Sequence, residues 1–126
     1  MRIFKSKAFA KFARKERISD ATLCEIVKEA DKGNIDADYG GGVIKQRIAR
    51  PNEGKSGGYR SIIYYRQGDR AFFVYGFSKK DRENIDEDEK KEFKKQAKLT
   101  LSLDDENVLK LLKNGTYQEV PCNEKN

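Results

Sequence analysis

Apolar residues recur along this chain with two different periods, and the change of period marks its elements. From Lys5 to Arg17, Phe9, Phe12 and Ala13 fall on one side of a helix, and cations occupy the rest. Ser19 or Asp20 is placed to cap a second helix reaching about Lys32. Its set Leu23, Ile26, Val27 and Ala30 follows i, i+3, i+4, i+7. Gly33-Asn34 closes it. A short polar link between the two reads as a helical hairpin. Ile3 and Phe4 ahead of them predict a short edge strand.

The period then falls to two. Ile35 to Gly42 reads as a polar connection ending in glycines. Val43 to Ala49 alternates, with Val43, Lys45, Arg47 and Ala49 on one face and Ile44, Gln46 and Ile48 on the other. Arg50-Pro51-Asn52-Glu53-Gly54 breaks that strand. Tyr59 to Arg66 is a second strand, Gln67-Gly68-Asp69 a tight turn, and Ala71 to Phe77 a third strand rich in aromatic and β-branched residues. These spacings predict an antiparallel meander.

Helical spacing returns after Asp86, which with Glu89 three residues on forms a capping-box signature. That helix is expected to run to about Leu99, with Phe93 and Ala97 inward and the lysines outward. Ser102 with Asp105 repeats the signature before Val108, Leu111 and Leu112, and Asn114-Gly115 stops that last helix. Tyr117 to Val120 reads as a short strand or a docked tail. The fold class expected is α+β: two N-terminal helices, a small twisted antiparallel sheet and C-terminal helices. A chain of 126 residues fits a single domain over 1–126, with a C-terminal helical extension from about 100.

Composition narrows the chemistry. There is no histidine, so the commonest general base, the usual zinc ligand and every Ser-His or Cys-His nucleophile pair are absent. Any acid or base must be Lys, Arg, Tyr, Asp or Glu, or belong to the substrate. No apolar run approaches membrane-spanning length, and the N-terminus lacks the h-region of a secretory signal. Cys24 and Cys122 sit in unlike contexts, and Cys24 falls in an apolar helical pattern. Both are expected to be free thiols, as cytosolic cysteines are. The carboxylates Asp86 to Glu89 suit a helix N-terminus better than a metal, so no metal site and no cofactor is expected.

The net charge of +6 is unevenly spread. Residues 1–18 carry +6, 19–42 carry −4, 43–82 carry +7 and 83–126 carry −3. A localised basic region points to a polyanion, nucleic acid first. Within it, Gly54-Lys55-Ser56-Gly57-Gly58-Tyr59-Arg60 is a glycine-rich turn bracketed by Lys55 and Arg60 and running into a strand. Glycines permit close backbone approach, and an arginine fork on a rigid strand suits phosphate oxygens. It is not a Walker A loop, because the spacing differs and a strand follows. Lys45 and Arg47 project from one face, with Arg50 close behind. Tyr75-Gly76-Phe77-Ser78-Lys79-Lys80-Asp81-Arg82 adds three cations at a strand end, and Tyr75 is a ring of the kind that stacks on bases. Against these readings stands the plain one of a solvated charged surface. The basic first helix suits a phosphate backbone without reading bases.

The order helix-helix-strand-strand-strand-helix, with Gly40 to Arg50, Gly54 to Arg60 and Tyr75 to Ile85 in sequence, resembles the RelE/ParE superfamily of toxin–antitoxin toxins, and its HigB-like RelE branch in particular. The likeness covers about residues 1–98. It implies a cytoplasmic messenger-RNA endonuclease acting on the translating ribosome, and an antitoxin partner, often with a helix-turn-helix. Carried over by position, Lys45 and Arg47 match paired cations of the first central strand, and Arg60 matches the arginine after the Gly-Tyr turn. Lys80 and Arg82 match cations after the last strand, while Lys55 and Lys79 match lysines of the HigB-like branch. RelE has a tyrosine where Asp86 stands here. The expected catalytic set is Lys55, Arg60, Lys79 and Arg47, with Lys45, Arg50, Lys80, Arg82 and Tyr75 binding RNA. The alternative is a noncatalytic nucleic-acid binder or a ParE-like toxin that acts on gyrase.

Overall fold

The structure is a computed structural model that describes residues 1–49 and 58–122. Its elements are β1 (Arg2–Ser6), α1 (Lys7–Glu16), α2 (Asp20–Asp31), β2 (Ala37–Gly40), β3 (Val43–Ile48), β4 (Tyr59–Arg66), β5 (Arg70–Ser78), α3 (Glu87–Leu101), α4 (Asp105–Lys113) and β6 (Tyr117–Glu119). The strands form one sheet in the order β2-β3-β4-β5-β1-β6. The fold is α+β.

Each helix begins where its capping chemistry dictates. The Ser6, Ser19 and Asp86 side chains accept the backbone N–H of Phe9, Thr22 and Glu89, and Glu89 returns the bond in a full capping box. The last helix departs from expectation. Asp104, not Ser102, caps α4 by accepting the Asn107 N–H. The Ser102 hydroxyl is turned back onto the Leu99 carbonyl at the end of α3, so it is not free to cap the next helix.

The sheet also departs from expectation, because it is mixed. β1 pairs with β5 in parallel, with Ile3 beside Ala71 and Phe4 beside Phe72. β6 covers the other side of β1, so the expected edge strand lies inside the sheet. Ala37–Gly40 pairs with β3, so part of the expected connection is the true edge strand. Both faces of the sheet are covered. Ile3, Ile44, Ile48, Ile63 and Phe73 pack with Phe9, Leu23 and Val27 of α1 and α2. Phe4, Val43, Ile62 and Phe72 pack with Ala97, Leu101 and Val108 of α3 and α4. Successive residues such as Val43 and Ile44 are therefore both buried, as a two-sided sheet requires. Gly76 admits α1 against β5, since a Cβ there would lie 2.4 Å from the Phe12 ring.

Cys24 and Cys122 form a disulfide, joining α2 to the chain after β6. This corrects the expectation of two free thiols. Val120 brings the tail across, donating its N–H to the Ile3 carbonyl and burying its side chain beside α2. The two cysteines meet through that docking, which neither sequence context reveals.

Candidate functional site

Ladder register decides which cations meet. In an antiparallel pair, residues directly opposite share a face. Arg47 lies opposite Arg60, and Lys45 opposite Ile62. Arg60 in turn lies opposite Phe77, and Ile62 opposite Tyr75. Three segments of sequence thus place Lys45, Arg47, Arg60 and Tyr75 on one face of three adjacent strands. It is the face that α3 crosses; α3 packs over Val43 and Tyr64 toward the far end and reaches Tyr75 through Phe93. At the other end Arg47 is exposed.

Arg60 is 5% exposed, which is unusual for a cation. Its Nη1 donates to the Tyr59 carbonyl at 3.1 Å, and its Nε lies 3.7 Å from Asp36 Oδ2. The same carboxylate oxygen is 3.9 Å from Lys45 Nζ. Asp36 is therefore the acid shared by two cations, and Arg47 has no ion-pair partner among the described residues. Like charges directly opposite in a sheet repel. The Arg47–Arg60 pair is held by the fold against that repulsion, and a bound anion would relieve it.

Lys79 follows β5, and its N–H donates to the Gly58 carbonyl at 3.2 Å. It therefore stands one ladder step beyond the Tyr59–Ser78 pair, at the same end of the sheet as Arg60. Lys80 is exposed, with its N–H on the Ser78 hydroxyl. Arg50 and Lys55, with most of the glycine turn, lie outside the described residues. Gly58 has φ 106°, a left-handed-side conformation that glycine tolerates.

Arg82 is differently placed. It forms a two-pronged bond to Glu89, with Nη1 at 3.1 Å and Nη2 at 2.5 Å from the two carboxylate oxygens. Nη1 also reaches the Tyr75 hydroxyl at 3.2 Å, and Nε the Asn84 carbonyl. The guanidinium lies over the Tyr75 and Phe77 rings. The Glu89 hydrogen bonds, followed by Tyr75, raise the Arg82 pKa; Arg82 first, then the Asp86 N–H, lowers that of Glu89. The Tyr75 ring itself packs between Phe77 and Phe93.

A cleft of about 860 Å³ opens between α2 and β3 beside this cluster, with Arg47 and Asp36 on its lining. Glu25, Glu29 and Asp36 make it a poor seat for phosphate. Among the described residues, no group of three or more His, Cys, Asp or Glu side chains is arranged to hold a metal ion.

The profile of the RelE toxin of the RelE/RelB toxin–antitoxin system matches residues 1–120. The chain belongs to the RelE toxin family. No individual curated protein matches it. Membership in the RelE family makes it the toxin half of a toxin–antitoxin pair, with an antitoxin as partner. The match extends past residue 98, where the resemblance in sequence ends, and takes in α4 and β6. Among the described residues no helix is long and apolar enough to cross a membrane.

Asp36 and Glu89 partner the candidate cations, a role that sequence reasoning did not assign. Asp36 falls in a polar link and carries no spacing signal. Glu89 was legible only as a capping residue, and it both caps α3 and holds Arg82.

Proposed function

We propose that this RelE-family chain is a messenger-RNA endonuclease of the HigB-like branch, inhibiting translation by cutting RNA on the ribosome without a metal ion. RNA carries its own nucleophile. The 2′-oxygen attacks the adjacent phosphorus while its proton leaves to a base. The P–O5′ bond then breaks, and the departing oxygen takes a proton from an acid. The products are a 2′,3′-cyclic phosphate and a 5′-hydroxyl end. What the protein must supply is charge for the phosphorane and two proton-transfer groups.

In this reading Arg60 sits on the scissile phosphate, and Arg47 opposite it shares the growing charge. Lys79 and Lys55 serve as the proton-transfer pair. Lys45, Arg50 and Lys80 hold the strand electrostatically. Tyr75 forms the wall on which a base rests, and Arg82, held by Glu89, braces its ring. Few acid–base groups are available, so the ribosome positions the message and supplies the alignment that the site lacks. The toxin acts in the cytoplasm and is silenced by a helix-turn-helix antitoxin.

One observation carries this reading: the ladder sets Arg47 against Arg60, with Lys45 on the same face and a single carboxylate, Asp36, between Lys45 and Arg60. The test is inducible expression of wild type and Arg60→Ala, with transcriptome-wide mapping of 5′-hydroxyl ends. Wild type is expected to arrest growth and produce new ends inside reading frames, and the variant to do neither. Equal toxicity of the two proteins with no new ends would reject the nuclease and favour a ParE-like target.

A further inference from the structure

Asp36 is the odd member of the cationic cluster, an acid where a phosphate is to bind. The segment carrying it is held by a buried amide. Gln46 is 4% exposed, and its Oε1 accepts the Asp36 N–H at 2.8 Å. Its Nε2 donates to the Asn34 carbonyl at 3.0 Å and reaches the Ile26 carbonyl at 3.5 Å. A buried glutamine with both ends of its amide engaged fixes the backbone it touches. Gln46 thus pins residues 34–36 to β3 and to α2, and Asp36 is delivered to a set position.

That position lies between two charges. Asp36 Oδ2 stands 3.9 Å from Lys45 Nζ and 3.7 Å from Arg60 Nε. Both distances exceed a charge-assisted hydrogen bond, so the attraction is Coulombic and leaves the N–H donors uncommitted. Nη1 of Arg60 is fixed by the Tyr59 carbonyl. Nη2 has no hydrogen-bond partner among the described residues, and no buried side-chain nitrogen or oxygen among them is left unsatisfied. Nη2 is therefore within reach of solvent. With one nitrogen facing the carboxylate and one held by a carbonyl, the guanidinium has a fixed plane and a free edge.

We infer that Asp36 is a positioning residue: it orients Arg60 and balances the Lys45–Arg60 charge so that the arginine presents its Nη2 edge to the RNA phosphate. This rests on the nuclease reading above. Asp36 itself does not touch substrate, since a carboxylate and a phosphate repel. It lowers ground-state attraction for RNA and in return sets the geometry needed at the phosphorane. The consequence is a split that a scaffold role would not produce: removing its charge tightens RNA binding while slowing cleavage.

The experiment compares wild type, Asp36→Asn and Asp36→Glu. Affinity is measured for a 2′-O-methyl oligoribonucleotide, which cannot be cut, across a salt series. Single-turnover cleavage is measured on programmed ribosomes at saturating concentration, with thermal melting as the check on folding. Asp36→Asn is expected to bind about threefold tighter, with a salt slope steeper by up to about one ion. Its cleavage is expected to fall about tenfold. Asp36→Glu keeps the charge and misplaces it, so affinity stays near wild type while cleavage falls. An Asp36→Asn protein that cuts at the wild-type rate, or binds RNA more weakly, overturns this role alone. Wild type that leaves every programmed message intact overturns the nuclease reading first.

Discussion

The two ends of the sheet treat cations in opposite ways. At the end where β1 and β5 begin, every arginine has a carboxylate. Arg2 pairs with Glu119 at 2.9 Å, and Arg70 with Asp69 at 3.2 Å and Asp105 at 3.5 Å. Nearby, Tyr65 donates to Asp31 at 2.5 Å, and the Cys24–Cys122 disulfide ties the tail to α2. At the end where β4 begins and β5 finishes, Arg47 stands opposite Arg60, and among the described residues their neighbour Asp36 approaches no cation closer than 3.7 Å. One end spends its charges on holding the molecule together. The other leaves Arg47 without an ion-pair partner among the described residues. The contrast predicts that perturbing the first end changes stability alone, and perturbing the second changes function alone.

The largest expected effect comes from the disulfide. It closes a loop of 98 residues, so replacing Cys122 with serine should lower unfolding free energy by about 4.7 kcal/mol in the chain-entropy picture. Denaturant melts of the oxidised wild type against Cys122→Ser measure it. RNA cleavage by the folded fraction should be unchanged. Loss of cleavage in protein that is still folded would join the two ends and break the contrast.

Arg60→Lys is the matching test at the open end. It keeps the charge and removes the planar fork, and an ammonium cannot hold both the Tyr59 carbonyl and a phosphate edge. Cleavage should fall about a hundredfold, the usual cost of losing one preorganised donor to a developing oxyanion. Single-turnover rates with the stability measured alongside decide it. A lysine variant of full activity would mean that net charge alone is required.

Arg82 is the residue that sharpens the boundary. It lies near the open end, yet Glu89 engages it as fully as Glu119 engages Arg2. Arg82→Met should therefore lower the melting temperature by a few degrees, with cleavage within about twofold of wild type. The pH dependence has the same origin. Glu89 and Glu119 have folded-state pKa values below the ordinary 4.5, so their contribution is complete above that value and is lost as pH falls through the lowered ones. Melting temperature should hold from neutrality to about pH 5 and drop below it, and the drop should be shallower in Arg82→Met. If Arg82→Met instead loses RNA affinity and keeps its melting point, the boundary runs on the other side of Arg82.

Much of this was legible in the chain. The helices announced themselves through 3.6-residue spacing and their caps, and β3 to β5 through alternation. Alternation alone put Lys45 and Arg47 on one face, whereas the position of Arg60 opposite Arg47 comes from the ladder register. What escaped has a common cause: periodicity names an element and not its neighbour. Ile3 and Phe4 read as an edge because nothing local states that β5 lies parallel on one side and β6 on the other. Asp104 outcompeted Ser102 only because Ser102 is occupied by the Leu99 carbonyl. The disulfide and Asp36 depend on contacts between segments far apart in sequence. Arg50 and Lys55, named from sequence, fall outside the described residues and are tested only by mutation.

The smallest expected effects carry the most pointed sign. Arg2→Gln breaks an ion pair whose members are each about two-fifths exposed, so its cost should be about 0.5 kcal/mol or less, with no change in RNA binding. Arg47→Gln removes a cation of similar exposure class, but one set against another cation. Directly opposed like charges cost a few tenths of a kcal/mol, so this variant should be as stable as wild type or more stable by about that amount. The same change should weaken RNA binding and lower its salt slope by about one ion. Paired urea melts and salt titrations of the two variants read both quantities. A loss of stability at Arg47 equal to that at Arg2 would show that the open end is held together by its cations as the closed end is. A gain at Arg47 with a loss of RNA affinity would mark that arginine as kept for a ligand at the fold's expense.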